Sequence, residues 1–246
     1  MKRIIAFLFV ISLCQLTVFG QKKYEMVVEK TDGSETVFNV EDIARTYFRE
    51  RNDGGGDTDR YTSCPDGDHP HMIDLGLPSG TRWACCNVGA TTPEGYGEYY
   101  RWGETTPFAE GDTEETYPYM GVDLGDNIAG TQYDAAMANW GTPWRMPTYE
   151  QIQELLDNCT YTWTEQNGVN GGEFTGPNGG VIFLPAAGYR YTSGGTAIYD
   201  VGSGGHCWSS SADSDTGART LHFNGTYFYW DYGYRACGFS VRPVAK

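Results

Sequence analysis

Basic residues are scarce. The 246-residue chain carries 17 Lys and Arg against 32 Asp and Glu, a formal net charge of −15. Simple attraction to nucleic acid or to an anionic membrane is therefore excluded as a driving force. No CxxC pair occurs, so thioredoxin-like and zinc-ribbon readings have no support. No Walker loop, dinucleotide fingerprint or HExxH is present, and no GxSxG elbow precedes a helix. No Ser–His–acid order stands out among His69, His71, His206 and His222. The acidic run Glu110-Gly111-Asp112-Thr113-Glu114-Glu115 lacks the alternating ligand spacing of a calcium loop and reads as a solvated surface loop. Neither a cofactor nor a metal is expected.

Glycine and aromatics are abundant instead. There are 33 Gly, 18 Tyr, 11 Phe and 7 Trp. That many rings argue against a disordered chain, and that much Gly argues against a helical bundle. The expected class is a loop-rich α+β protein of many short strands.

The first twenty residues stand apart. Lys2 and Arg3 precede an apolar run over Ile4 to Val18, and Val18-Phe19-Gly20 offers a cleavage site. This pattern is that of a secretory signal peptide, so the protein is expected to be exported to the periplasm, outer surface or medium, with no transmembrane helix in the mature chain. Cys14 would suit a lipobox only if Leu13 were small, so ordinary cleavage is the reading. Cleavage leaves Cys64, Cys85, Cys86, Cys159, Cys207 and Cys237, an even set that permits disulfides in an exported protein. Cys207 with Cys237 is the expected bridge. If adjacent Cys85 and Cys86 lie on a strand, they face opposite sides of it and at most one of them sits in the core.

Residues 21–50 read as a small hairpin module: Asp32-Gly33 lies between two β-prone runs, and a short apolar-bearing segment follows. The module resembles short N-terminal units of exported Bacteroidetes proteins. Residues 51–70, with Gly54-Gly55-Gly56 among Asp and Asn, form a linker. The main domain spans 71–246. Within it Asp134 can cap a short helix over 135–138 that ends at Gly141. Thr148 and Gln151 form a capping box for a second, with Ile152, Leu155 and Leu156 on one face. Val181–Leu184 reads as a buried strand, and Asn224-Gly225 as the turn of a hairpin between 221–223 and 227–230.

Several segments occur in a telling order: Asp74-Leu75-Gly76-Leu77-Pro78-Ser79-Gly80-Thr81-Arg82-Trp83, Tyr99-Tyr100-Arg101-Trp102-Gly103-Glu104, Trp140-Gly141-Thr142-Pro143-Trp144-Arg145-Met146-Pro147-Thr148, Phe183-Leu184-Pro185-Ala186-Ala187-Gly188-Tyr189-Arg190, Cys207-Trp208-Ser209-Ser210-Ser211, and Gly238-Phe239-Ser240-Val241-Arg242-Pro243-Val244. The series resembles the Fibrobacter succinogenes major paralogous domain over roughly residues 72–246. The resemblance implies a C-type lectin-like fold in an exported, surface-associated protein. Trp83, Trp102, Trp140, Trp144 and Trp208 read as core rings, and Arg145, Arg190 and Arg242 as forks holding loop carbonyls.

The remaining constellation lies between Gly205 and Ala236. His206, Asp213, His222, Asn224, Tyr227, Tyr229, Asp231, Tyr232 and Tyr234 mix aromatic and small polar groups as antibody paratopes do. Alternation puts Tyr227 and Tyr229 on one face and Phe228 and Trp230 on the other. An ordinary hairpin with Tyr at favourable strand positions has the same composition, and both readings stand. The stretch also resembles the variable region of lectin-fold proteins diversified by retroelements. The calcium-dependent sugar tripeptides Glu-Pro-Asn, Gln-Pro-Asp and Trp-Asn-Asp are absent. The expected function is non-catalytic recognition of a protein or glycan, with Tyr227, Tyr229, Asp231, Tyr232, Tyr234, Asp213, His222 and Asn224 as contact residues. Two alternatives are an enzyme akin to formylglycine-generating enzymes, whose close Cys pair is not reproduced here, and a structural surface or adhesion component.

Overall fold

The computed structural model describes residues 72–192 and 197–246, with the backbone of two earlier strands. Those strands, β1 (Glu25–Glu29) and β2 (Glu35–Asn39), pair antiparallel from Glu25↔Asn39 to Glu29↔Glu35. They belong to a separate compact unit. Their turn, the following segment, the linker and Cys64 lie outside the described residues.

The larger unit is an α+β assembly of small, mostly antiparallel sheets with two helices. In chain order it contains β3 (Met72–Asp74), β4 (Arg82–Ala84), β5 (Tyr99–Tyr100), α1 (Ala135–Trp140) and α2 (Tyr149–Asn158). Next come β6 (Thr160–Gln166), β7 (Val169–Thr175), β8 (Val181–Pro185), β9 (Tyr189–Arg190) and β10 (Ile198–Tyr199). The chain closes with β11 (Gly204–Ala212), β12 (Gly217–Asn224), β13 (Phe228–Tyr234), β14 (Phe239–Ser240) and β15 (Val244–Ala245). The central sheet has the order β13-β12-β11-β14-β5. Two three-stranded sheets, β15-β4-β3 and β6-β7-β8, and the β10-β9 pair surround it. No helix among the described residues is long and apolar enough to cross a membrane.

Local chemistry explains both helices. The Asp134 carboxylate accepts the Met137 N–H, and Gly141 ends α1 at φ 72. Thr148 and Gln151 exchange side-chain and backbone hydrogen bonds as a capping box at the start of α2. Ile152 and Leu155, one helical face apart from solvent, are buried.

Two cores flank the central sheet because alternate residues of its strands face opposite sides. Cys207, Leu221 and Phe223 point to one, with α2 residues Ile152 and Leu155 and the β-sheet residues Phe174 and Ile182. Trp208, Ala218 and Phe239 belong to the other, with Trp102, Ile128, Ala136 and Met146. Trp83, Trp102, Trp144 and Trp208 are all buried, while Trp140 is half-buried and packs edge-on against Trp144. The indole N–H of Trp208 donates to the Tyr100 carbonyl at 2.7 Å, and that of Trp102 to Ser209 at 2.9 Å. Arg242, fully buried, donates to Asn87 Oδ1 and to the carbonyls of Ala84 and Phe183.

Two expectations for cysteine are corrected. Cys207 and Cys237 are not bridged. They belong to different cores: Cys207 packs with Leu221 and Phe223, and Cys237 with Trp208 and Phe239. Cys85 and Cys86 do not split between core and solvent. Strand β4 ends at Ala84, the chain bends, and both are buried.

Candidate functional site

The hairpin β12–β13 closes on Asn224. Its Oδ1 accepts the N–H groups of Thr226 and Tyr227, and its own N–H donates to the Tyr227 carbonyl at 2.9 Å. This register sets His206 of β11 beside His222 of β12, and His222 beside Tyr229 of β13. The next rung, Cys207–Leu221–Trp230, faces the opposite side.

The rings of the first rung touch. His206 and His222 stack with centroids 4.2 Å apart. His222 lies 5.3 Å from Tyr229 and 5.6 Å from Tyr227, and the two tyrosines are 5.3 Å apart. On the inner side His206 meets Phe239 and Tyr189, both at 5.0 Å, and Tyr189 stacks on Tyr199 at 5.6 Å. Phe239 in turn stacks on buried Trp208 at 4.3 Å. The result is a continuous ring ladder rooted in one core and opening to solvent at Tyr227 and Tyr229, 44% and 39% exposed, with Tyr199 exposed beside it.

Carboxylates border the ladder. The Tyr229 hydroxyl sits 3.2 Å from His222 Nδ1 and donates to Asp231 Oδ2 at 3.4 Å. With the phenol proton given to Asp231, His222 donates at Nδ1 and keeps Nε2 as an acceptor. Asp231 Oδ1 accepts the Tyr232 N–H at 2.8 Å. Asp200 influences His222 from the other side, beyond Gly204. Burial pulls the His206 pKa down to about 3, with His222 adding to the shift. Burial also lowers His222, opposed by Asp231 and then Asp200. Both imidazoles are therefore neutral at pH 7. Burial and then Asp231 push the Tyr229 phenol up, so it remains protonated.

Gly188 makes the inner end possible. It adopts φ +65, and a Cβ there would lie 1.9 Å from the Tyr199 carbonyl oxygen. Only glycine lets β10 pass this close and lay Tyr199 on Tyr189.

Of the eight contact residues expected from sequence, the fold gathers four: His222, Tyr227, Tyr229 and Asp231. The others are elsewhere. Tyr232, 67% exposed, shares the opposite face of the hairpin with Arg219. Asp213 pairs with Arg219 at 2.8 Å, and the Arg219 guanidinium lies 4.5 Å over Trp230. Asn224 spends its side chain on the turn. Tyr234 is half-buried and donates to Glu114 at 2.5 Å. The reason is the two-residue period: 232 and 231 cannot point the same way. Tyr189, Tyr199 and Asp200 were not anticipated. Their only sequence signal is the Ala187-Gly188-Tyr189 step, whose glycine marks a close backbone approach.

Among the described residues no group of three or more His, Cys, Asp or Glu is placed to hold a metal ion. Cys207 is buried and its thiol pushed up to about 12, and burial pushes Cys237 to about 11. No family model, curated protein or solved structure matches this chain.

Proposed function

We propose that the protein is an exported, non-catalytic binding module of C-type lectin-like fold, related to the major paralogous domain its motifs resemble, and that it recognises a protein or glycan through the ring ladder. The observation that carries this reading is the anchoring of exposed Tyr227 and Tyr229 on the His206–His222 stack. Rings already held in place lose little entropy on contact and offer broad apolar faces with hydroxyl tips. Sugar C–H faces and flat protein surfaces both suit such a platform. Asp231 and Asp200 supply acceptors for hydroxyl or amide donors at its borders. The high thiol pKa values of Cys207 and Cys237 support a reading without redox chemistry. A near-identical template copy beside the gene, differing at adenines alone, would extend the reading to a diversified receptor.

The test is a glycan and protein array probed with the mature chain, with and without chelator. A hit that survives chelation is expected, and Tyr227→Ala with Tyr229→Ala is expected to weaken it about thirtyfold or more. Tyr232→Ala, on the opposite face, is expected to leave it unchanged. Loss with Tyr232→Ala but not with the ladder variants would overturn the assignment.

A further inference from the structure

A concavity lies among the loops that cover the core of Trp102, Trp208 and Ala136, away from the ladder's exposed end. It encloses about 310 Å³ and is lined by Glu104, Thr105, Thr106, Tyr119, Gln132 and Tyr133 above Gly103. None of the ladder residues reaches it. We infer that it is a binding site for a single neutral sugar ring.

Size is the first argument. The volume lies at the small end of the ligand-pocket range, which suits one ring rather than a chain. Rigidity is the second. Tyr119 meets Tyr133 edge-on at 5.4 Å and Tyr117 at 5.9 Å, and the Tyr117 hydroxyl donates to the Trp102 carbonyl. Asn139 of α1 donates to the carbonyls of Thr105 and Ala135 and so ties the Thr105 loop to the helix. A Cβ on Gly103 would meet Leu124 at 2.7 Å, so the floor is closely packed.

Chemistry is the third. Among the described residues no hydrogen bond engages the hydroxyls of Thr105, Thr106, Tyr119 or Tyr133 or the amide of Gln132. These groups supply donors and acceptors together, as a polyhydroxyl ligand requires. The one charge in the lining, Glu104, is already held by Arg101 through Nε at 2.5 Å and Nη2 at 2.9 Å. A free cation or anion therefore finds no unmatched partner. Burial and the neighbouring Tyr133 and Glu104 push the Tyr119 phenol up, which keeps it a donor.

The experiment titrates the full mature chain with D-glucose, D-galactose, D-mannose, N-acetyl-D-glucosamine and L-fucose, by calorimetry and saturation-transfer NMR. At least one sugar is expected to saturate with a dissociation constant on the order of 1 mM. Tyr133→Phe and Gln132→Ala, which spare the ring packing, are expected to weaken it roughly three- to tenfold at unchanged melting temperature. Tyr232→Ala, which lies outside both the pocket and the ladder, is expected to have no effect. Failure of all five sugars to saturate by roughly 50 mM would overturn the inference. So would binding that ignores both pocket variants or is lost with Tyr229→Ala, and that last result would support the ladder as the sugar site.

Discussion

His206 shows how one residue ties the ring ladder to the stability of the fold. Its ring is packed by Tyr189, Phe239 and His222, and His222 is faced by Tyr227, Tyr229, Asp231 and Asp200. The folded protein refuses a proton at His206 until about pH 3, whereas an unfolded histidine accepts one near 6.5. Above about 6.5 neither state is protonated there, and the full stability is present. As pH falls from there toward 3 the unfolded chain binds the extra proton, and stability falls by at most about 1.4 kcal/mol per unit. Urea melts of the wild type and His206→Phe over this window are expected to show a shallower decline in the variant. Parallel curves would show that His206 does not titrate in the unfolded state alone. At this scale the sequence was readable wherever a two-residue period applied, as for Tyr227 and Tyr229. For Tyr189 and Tyr199 it offers Gly188 alone, because the contact that places them depends on a backbone approach across β9 and β10.

Strand β13 is the edge of the central sheet, and its outer side has a protective device. Because Asn224 and Tyr227 form a hydrogen-bonded pair, the N–H groups of Phe228, Trp230 and Tyr232 face away from β12. Unpaired edge donors invite strand addition. Asp231 occupies the last of these with its Oδ1 while its Oδ2 receives Tyr229. Asp231→Ala is therefore expected to produce concentration-dependent dimers in sedimentation velocity, and Asp231→Asn, which keeps an acceptor oxygen, to remain like the wild type. Monomeric behaviour of both would remove the edge-capping role. Helices and hairpin were legible as elements because caps and turns are local: Asp134, Thr148 with Gln151, and Asn224-Gly225 each act within a few residues. The two-residue period already separates Tyr232 from Tyr229 and Asp231, whereas the pairing of Asp213 with Arg219 depends on how β11 and β12 meet and was not legible.

The larger unit stands on two main cores without a bridge between Cys207 and Cys237. Buried rings and satisfied guanidinium groups do the work instead: Arg235 lies 4.2 Å over Trp102 and donates to the Gly217 and Val122 carbonyls, as Arg242 does for its own loop oxygens. Mass spectrometry after iodoacetamide treatment without reductant is expected to find both thiols unmodified in the native protein and alkylated in urea. A peptide pair linked through Cys207 and Cys237 would contradict the division of the cores. Even cysteine count and an export signal pointed to a bridge, but such arithmetic carries no information about which side of a sheet each sulfur occupies.

The opposed rungs of β11, β12 and β13 also say how this surface can change over time. On the proposed reading, codons 227, 229 and 231 specify the recognising face, while codons 228 and 230 specify rings that pack on Tyr161 and Tyr149. Under that reading, substitution at 227 and 229 can retune recognition while leaving the packed rings of 228 and 230 unchanged. Gain or loss of a single residue in the hairpin would instead exchange the two sets, exposing the frame and burying the reader.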